Sequence, residues 1–174
     1  MEGIENLKYP IGKYSPPESI NPQILNDWIL QIAQLPKDLR TLTVNLSEDD
    51  LDKTYRPGGW NVRQLVHHIG DSHLHIYVRF KWTLTEDKPT IKAYFEDRWA
   101  DLDDSTAPID MSVDFIEALH RKWVFLMESL TDQQWERKFV HPESEKQITL
   151  SWNLGLYAWH GQHHLAHIKT ALQN

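Results

Sequence analysis

Ten histidines stand in this sequence, and eight of them fall into two clusters. His67, His68, His73 and His75 form the first; His160, His163, His164 and His167 form the second. Imidazole is the commonest metal ligand among side chains. Residues four apart on a helix share a face, so His160 with His164, or His163 with His167, can chelate one divalent ion. His164 and His167, three apart, offer a further pair. Spacing alone leaves these alternatives open. The first cluster is expected to add a third donor. Around His67 a helix would place Arg63, Gln64, Gly70 and Asp71, a solvated setting. His68 has Leu65 and Ser72 nearby and lies closer to an apolar stripe, so it is the favoured ligand. His67 is then expected beside the site or at the surface.

Three neutral imidazoles would leave a divalent ion its full charge and an open fourth position, the arrangement of catalytic zinc sites. Such an ion lowers the pKa of bound water to about 7 and makes hydroxide available. It equally deprotonates a coordinating thiol. The zinc-protease pattern His-Glu-x-x-His is absent, because Gly161 follows His160. The chain has no cysteine, which excludes disulfides, thiolate metal sites and a Cys nucleophile. With 18 Lys and Arg against 25 Asp and Glu, the net charge of −7 argues against a general nucleic-acid binder. No stretch approaches the ~20 apolar residues that span a bilayer. The first residues lack the basic and apolar regions of a signal peptide, so a soluble, cytoplasmic protein without membrane or nucleic-acid partners is expected.

The elements that must hold these groups are largely helical. Residues 1–20, with Pro10, Gly12, Pro16 and Pro17, read as an extended arm. Asn21-Pro22 caps a helix carrying Ile24, Leu25, Trp28, Ile29 and Ile32, with a kink or break expected at Pro36. Ser47-Glu48-Asp49-Asp50 has the form of a short capped turn, and Arg56-Pro57-Gly58-Gly59 breaks the chain. A second helix is predicted over 61–85, a third over 112–130 and a fourth over 151–172. Residues 86–111 form a long connection. Two short strands, around 138–141 and 147–150, suggest a small β-hairpin before the last helix. The whole, 1–174, reads as one all-α domain, a four-helix bundle with a long crossover.

Simpler roles suffice for several other residues. The tryptophans read as core anchors, with Trp60 and Trp159 as candidates to line a pocket beside the histidines. The acidic run Asp101–Asp104 reads as a solvated loop, since it lacks the spacing of a calcium loop. His73, His75, His120 and His141 read as structural or surface residues. Asp71 is a candidate acceptor behind a ligating His, or an ordinary helix-surface acid.

Taken together, Tyr9–Tyr14, Tyr55–Gln64, Val66–His73, Leu130–Gln134, Leu154–His160 and His163–His167 resemble the DinB/YfiT-like superfamily, and closely the YfiT group of metal-dependent hydrolases of Gram-positive bacteria. The resemblance covers nearly the whole chain. It implies a four-helix bundle of up-down-down-up type, usually a homodimer, with one zinc or nickel ion per subunit. Carried onto this sequence, the ligands are His68, His160 and His164. The implied activity is a hydrolase acting through water or hydroxide on that ion, or a bacillithiol S-transferase activating a thiol cofactor. A non-catalytic metal-binding or dimerising bundle is the alternative from another class. The resemblance assigns no general base.

Overall fold

A computed structural model of the chain describes residues 2–173, the side chain of Glu2 excepted. Its first element departs from the expected extended arm. Glu2–Lys8 form a helix, α1, and only the residues after it run without regular structure. The physical reason is in the spacing of the breakers. Proline begins at Pro10, so nothing in the preceding stretch removes a helical donor.

Helix α2 spans Pro22–Thr43 and opens as expected: the Asn21 side chain accepts from the Ile24 amide, and proline occupies the first turn. Of the kink or break expected at Pro36, the break does not occur: α2 runs on through it. A short helix α3, Glu48–Leu51, carries a capping box made by Ser47 and Asp50. The turn that follows contains Gly58 at φ +65°, a left-handed conformation that suits glycine. Helix α4, Val62–Thr85, starts on a second capping box, Asn61 with Gln64. The connection beyond it contains a short helix α5, Glu96–Ala100, and a 3-10 turn at Asp103–Thr106. Helix α6 spans Asp110–Glu128, and α7, Asp132–Trp135, is capped by Thr131 with Gln134. Strands β1, Lys138–Val140, and β2, Gln147–Thr149, pair antiparallel with Phe139 opposite Ile148. Helix α8, Leu150–Leu172, closes the described fold.

The four long helices form a ring. Helix α2 packs on α6 and α8, and α4 packs on the same two from the opposite corner. Two apolar clusters fill its ends. One joins Leu35 and Leu39 of α2, Leu65 and Ile69 of α4, Ile116 of α6, and Leu165 and Ile168 of α8. The other joins Ile29 and Ile32, Ile76 and Phe80, Trp123 and Met127, and Leu150 and Leu154. The first cluster uses the later residues of α2 and α8 but the earlier residues of α4 and α6. Helices α2 and α8 therefore point one way, and α4 and α6 the other, an up-down-down-up bundle. The neighbours α4 and α6 are parallel, so residues 86–109 must return along the length of the bundle. That is why the connection is long.

Between the two clusters lies a polar layer. Helix α4 contributes His73 between Ile69 and Ile76. Helix α6 contributes His120 between Ile116 and Trp123. Helix α8 contributes His160 between Tyr157 and Leu165. Among the described residues, no helix is long and apolar enough to cross a membrane.

Candidate metal centre

Neighbouring helices α4 and α8 bring His68, His160 and His164 together. The Nε2 atom of His160 lies 3.4 Å from Nε2 of His68 and 3.2 Å from Nε2 of His164. One ligand atom from each ring lies within 4.8 Å of the other two. Two donors bonded to one ion at about 2.0–2.1 Å and a tetrahedral angle sit about 3.3 Å apart. The observed separations match that edge.

Hydrogen bonds behind the rings decide which nitrogens carry protons. Pro36 has no amide hydrogen, so the Ile32 carbonyl, four residues earlier, lacks its helical donor. His120 Nδ1 fills the gap by donating to the Ile32 carbonyl at 2.7 Å. A carbonyl can only accept, and burial holds the His120 ring down at about 4, so the ring is neutral near pH 7. Its Nε2 must then accept, and His73 Nδ1 donates to it at 2.9 Å. His73 Nε2 accepts in turn from His160 Nδ1 at 3.2 Å. This leaves Nε2 of His160 as a bare lone pair.

A second relay fixes His164. His167 Nε2 donates to the carbonyl of Lys8, in α1, at 3.1 Å. Its Nδ1 therefore accepts from His164 Nδ1 at 3.4 Å, and Nε2 of His164 is also a lone pair. Burial, followed by the other histidines, pushes the His160 and His164 pKa values well below 6.5, so a proton does not bridge the two rings near neutrality. Two lone pairs facing at 3.2 Å repel unless a cation lies between them. His68 is likewise held at about 4, chiefly by burial. The donor set thus consists of three neutral imidazoles, which suits a borderline ion such as zinc or nickel.

His163, His164 and His167 form another convergent group. It shares His164, and an ion there would need the Nδ1 atom that bears the proton in the first arrangement. A cavity of about 690 Å³ also favours the first set, since His68, His160 and His164 line it while His163 and His167 do not. Its walls include Trp60, which packs over His68 at 4.6 Å between centroids, and Tyr94. Ser72 and Tyr157 add hydroxyls, the Ser72 hydroxyl donating to Tyr157 Oη at 3.4 Å.

Other expectations need correction. His67 is buried and turned away: Ser112 donates to its Nδ1 at 2.7 Å, and its Nε2 donates to the Ala107 carbonyl at 3.0 Å. It ties α4 to α6 and the crossover. Of the two roles left open for His73 and His120, structural or surface, the structural one holds: both are fully buried, and they orient His160. His75 stacks on Tyr94 at 4.1 Å, and His141 lines the cavity. Trp60 takes the expected place, whereas Trp159 stacks on His163 and donates to the Gly12 carbonyl. Asp71 makes no hydrogen bond to the three histidines; burial and Asp104 push its carboxyl up to about 6. The signal that could have revealed the His120 relay was Pro36, which disarms one identifiable carbonyl.

The molecule is an up-down-down-up helical bundle in which imidazoles from two helices converge as a group that could hold a metal ion. The chain belongs to the DinB superfamily, whose match spans residues 31–168. It is 47% identical, over 95% of both chains, to a protein of Oceanobacillus iheyensis named "Putative metal-dependent hydrolase". A protein of the same name from Bacillus mycoides is 46% identical over 96% of both chains. Among solved structures, YfiT from Bacillus subtilis, described as "a probable metal-dependent hydrolase with an unusual four-helix bundle topology", matches with TM-score 0.94 and 45% identity over 97% of both chains. The mycothiol-dependent maleylpyruvate isomerase shares the fold, with TM-score 0.66 and 12% identity over 83% of this chain and 60% of that one.

Proposed function

We propose that this chain is a metal-dependent hydrolase that holds one divalent ion, zinc or nickel, through Nε2 of His68, His160 and His164. The observation that carries the reading is the pair of lone pairs on His160 and His164, kept facing each other by hydrogen bonds behind both rings. When bound, a divalent ion supplies Lewis acidity and lowers the pKa of a water or thiol that meets it. The chain's own residues do the rest. The two relays hold His160 and His164 in the ligating tautomer. Trp60 covers the edge of His68, and the Ser72 and Tyr157 hydroxyls beside His160 can hold polar atoms of a substrate. The names of the relatives at 46–47% identity support the hydrolase reading.

One observation favours a second reading, thiol transfer to an electrophile with bacillithiol as cosubstrate. Among the described residues, no carboxylate is hydrogen-bonded to the three histidines, and those of the cavity wall, Glu96, Asp97 and Glu143, are all exposed, so no buried carboxylate is held against the donors. A thiolate needs none. The test begins with metal content of the native protein against His68→Ala, His160→Ala and His164→Ala. Retention of full metal by all three variants refutes the ligand set. Metal-loaded protein is then given activated esters and amides, and a chlorinated aromatic electrophile, with and without bacillithiol. Turnover without thiol supports hydrolysis; turnover only with thiol replaces it by transfer. No turnover with any of them, in protein that binds metal, favours a non-catalytic bundle.

A further inference from the structure

Arg79 is nine-tenths buried, at 9% exposure, and lines the same cavity as His68, His160 and His164. Its Nε is buried without a hydrogen-bond partner. Among the described residues its guanidinium forms no ion pair, whereas Arg40 and Arg63 each have carboxylate partners. Arginine cannot shed its charge in a protein, so burial without a partner is costly. The carboxylates that line this cavity, Glu96, Asp97 and Glu143, are all exposed, and none pairs with Arg79. Water screens them, while the guanidinium faces the cavity from a drier wall.

We propose that Arg79 is an anion-binding subsite that receives an oxyanion group, carboxylate or phosphoryl. The planar fork of the guanidinium matches such groups with two parallel hydrogen bonds. Its position on α4 gives the ligand a shape. Eleven residues separate His68 from Arg79, close to three full turns, so both project from one face with about 16 Å of rise between them. The substrate or cosubstrate is an elongated molecule with an oxyanion at one end and its reacting group at the imidazole end. This assignment of the two ends rests on the three-histidine reading; the anion site itself does not.

The test uses the full, metal-free chain labelled with nitrogen-15. The Arg79 Nε–H resonance is identified by its loss in Arg79→Lys. Inorganic phosphate and acetate are titrated separately, with ionic strength held constant by sodium chloride. A saturable shift of that resonance by either anion, with affinity about tenfold or more weaker in Arg79→Gln as read from the backbone amide resonances that shift in the same titration, supports the subsite. Response to one anion alone tells phosphoryl from carboxylate. A resonance that neither anion moves, a shift that sodium chloride alone reproduces, or unchanged affinity in both variants overturns it. Should Arg79→Gln fail to fold, Arg79→Lys, which keeps the charge, decides. Zinc uptake is measured on the same samples. Anion binding without zinc uptake refutes the metal reading alone, and zinc uptake without anion binding refutes the subsite alone.

Discussion

Replacing His120 by phenylalanine removes two hydrogen bonds from a fully buried layer. It strands the Ile32 carbonyl and the Nδ1–H of His73, which the ring now serves at 2.7 and 2.9 Å. A buried polar group left unsatisfied costs about 1–3 kcal/mol, so His120→Phe is expected to lose about 2–6 kcal/mol of stability. The second perturbation is Pro36→Ala, which restores an amide hydrogen aimed at the same Ile32 carbonyl. In the double variant that carbonyl is satisfied again. Its total loss should therefore be smaller than the sum of the single effects by about 1–3 kcal/mol. Urea unfolding of the metal-free protein measures the cycle. The metal affinity should behave differently. His73 without its acceptor no longer fixes the tautomer of His160, so zinc affinity should fall by about 10–100-fold. Pro36→Ala repairs only the carbonyl and should not restore it. Additivity of the two stability effects within about 0.5 kcal/mol, or unchanged zinc affinity in His120→Phe, would refute the relay.

The second relay gives a parallel expectation. His167→Phe releases His164 Nδ1 and the Lys8 carbonyl, and should weaken zinc binding by about 10–100-fold in a folded protein, measured by competition with a chromophoric chelator. Acid should destabilise the metal-free chain. Burial depresses His120 from 6.5 to about 4, so the unfolded chain takes up that proton first as pH falls. Its contribution is full above pH 6.5 and is lost toward pH 4 at about 1.4 kcal/mol per pH unit. His68, depressed to the same value, adds in the same direction. Urea midpoints from pH 8 to pH 5 should fall, and less steeply in His120→Gln; a flat profile contradicts the buried neutral rings. Gly155→Ala drives a methyl against Tyr14 Oη and to 2.6 Å from the Trp28 ring, at the approach of α8 to α2. It should cost about 1–3 kcal/mol in thermal unfolding, and an unchanged melting temperature would show that the contact yields freely.

Much of this protein could be read from local chemistry. Asn21-Pro22 and the run Ser47–Asp50 marked helix starts, because side-chain caps act within three residues. The apolar spacing marked four long helices, and His68, His160 and His164, read on two of them, converge within 4.8 Å. Local chemistry was misleading where a distant partner intervened. Pro36 signals a break when read alone, yet α2 continues because His120 supplies the missing donor from another helix. His67 has polar neighbours along its own helix but is covered by Ser112 and Ala107 of the crossover and α6.

Periodicity thus determined the helices and the choice of imidazole as the candidate ligand, since both depend on residues a few positions apart. Only the tertiary structure decided which histidines converge, which nitrogen of His160 and of His164 stays bare, and that Arg79 faces the same cavity without an ion-pair partner. Tautomer and convergence are set by hydrogen bonds that span 87 residues from His73 to His160 and 88 from Ile32 to His120. No pattern within a single helix encodes contacts made across the bundle.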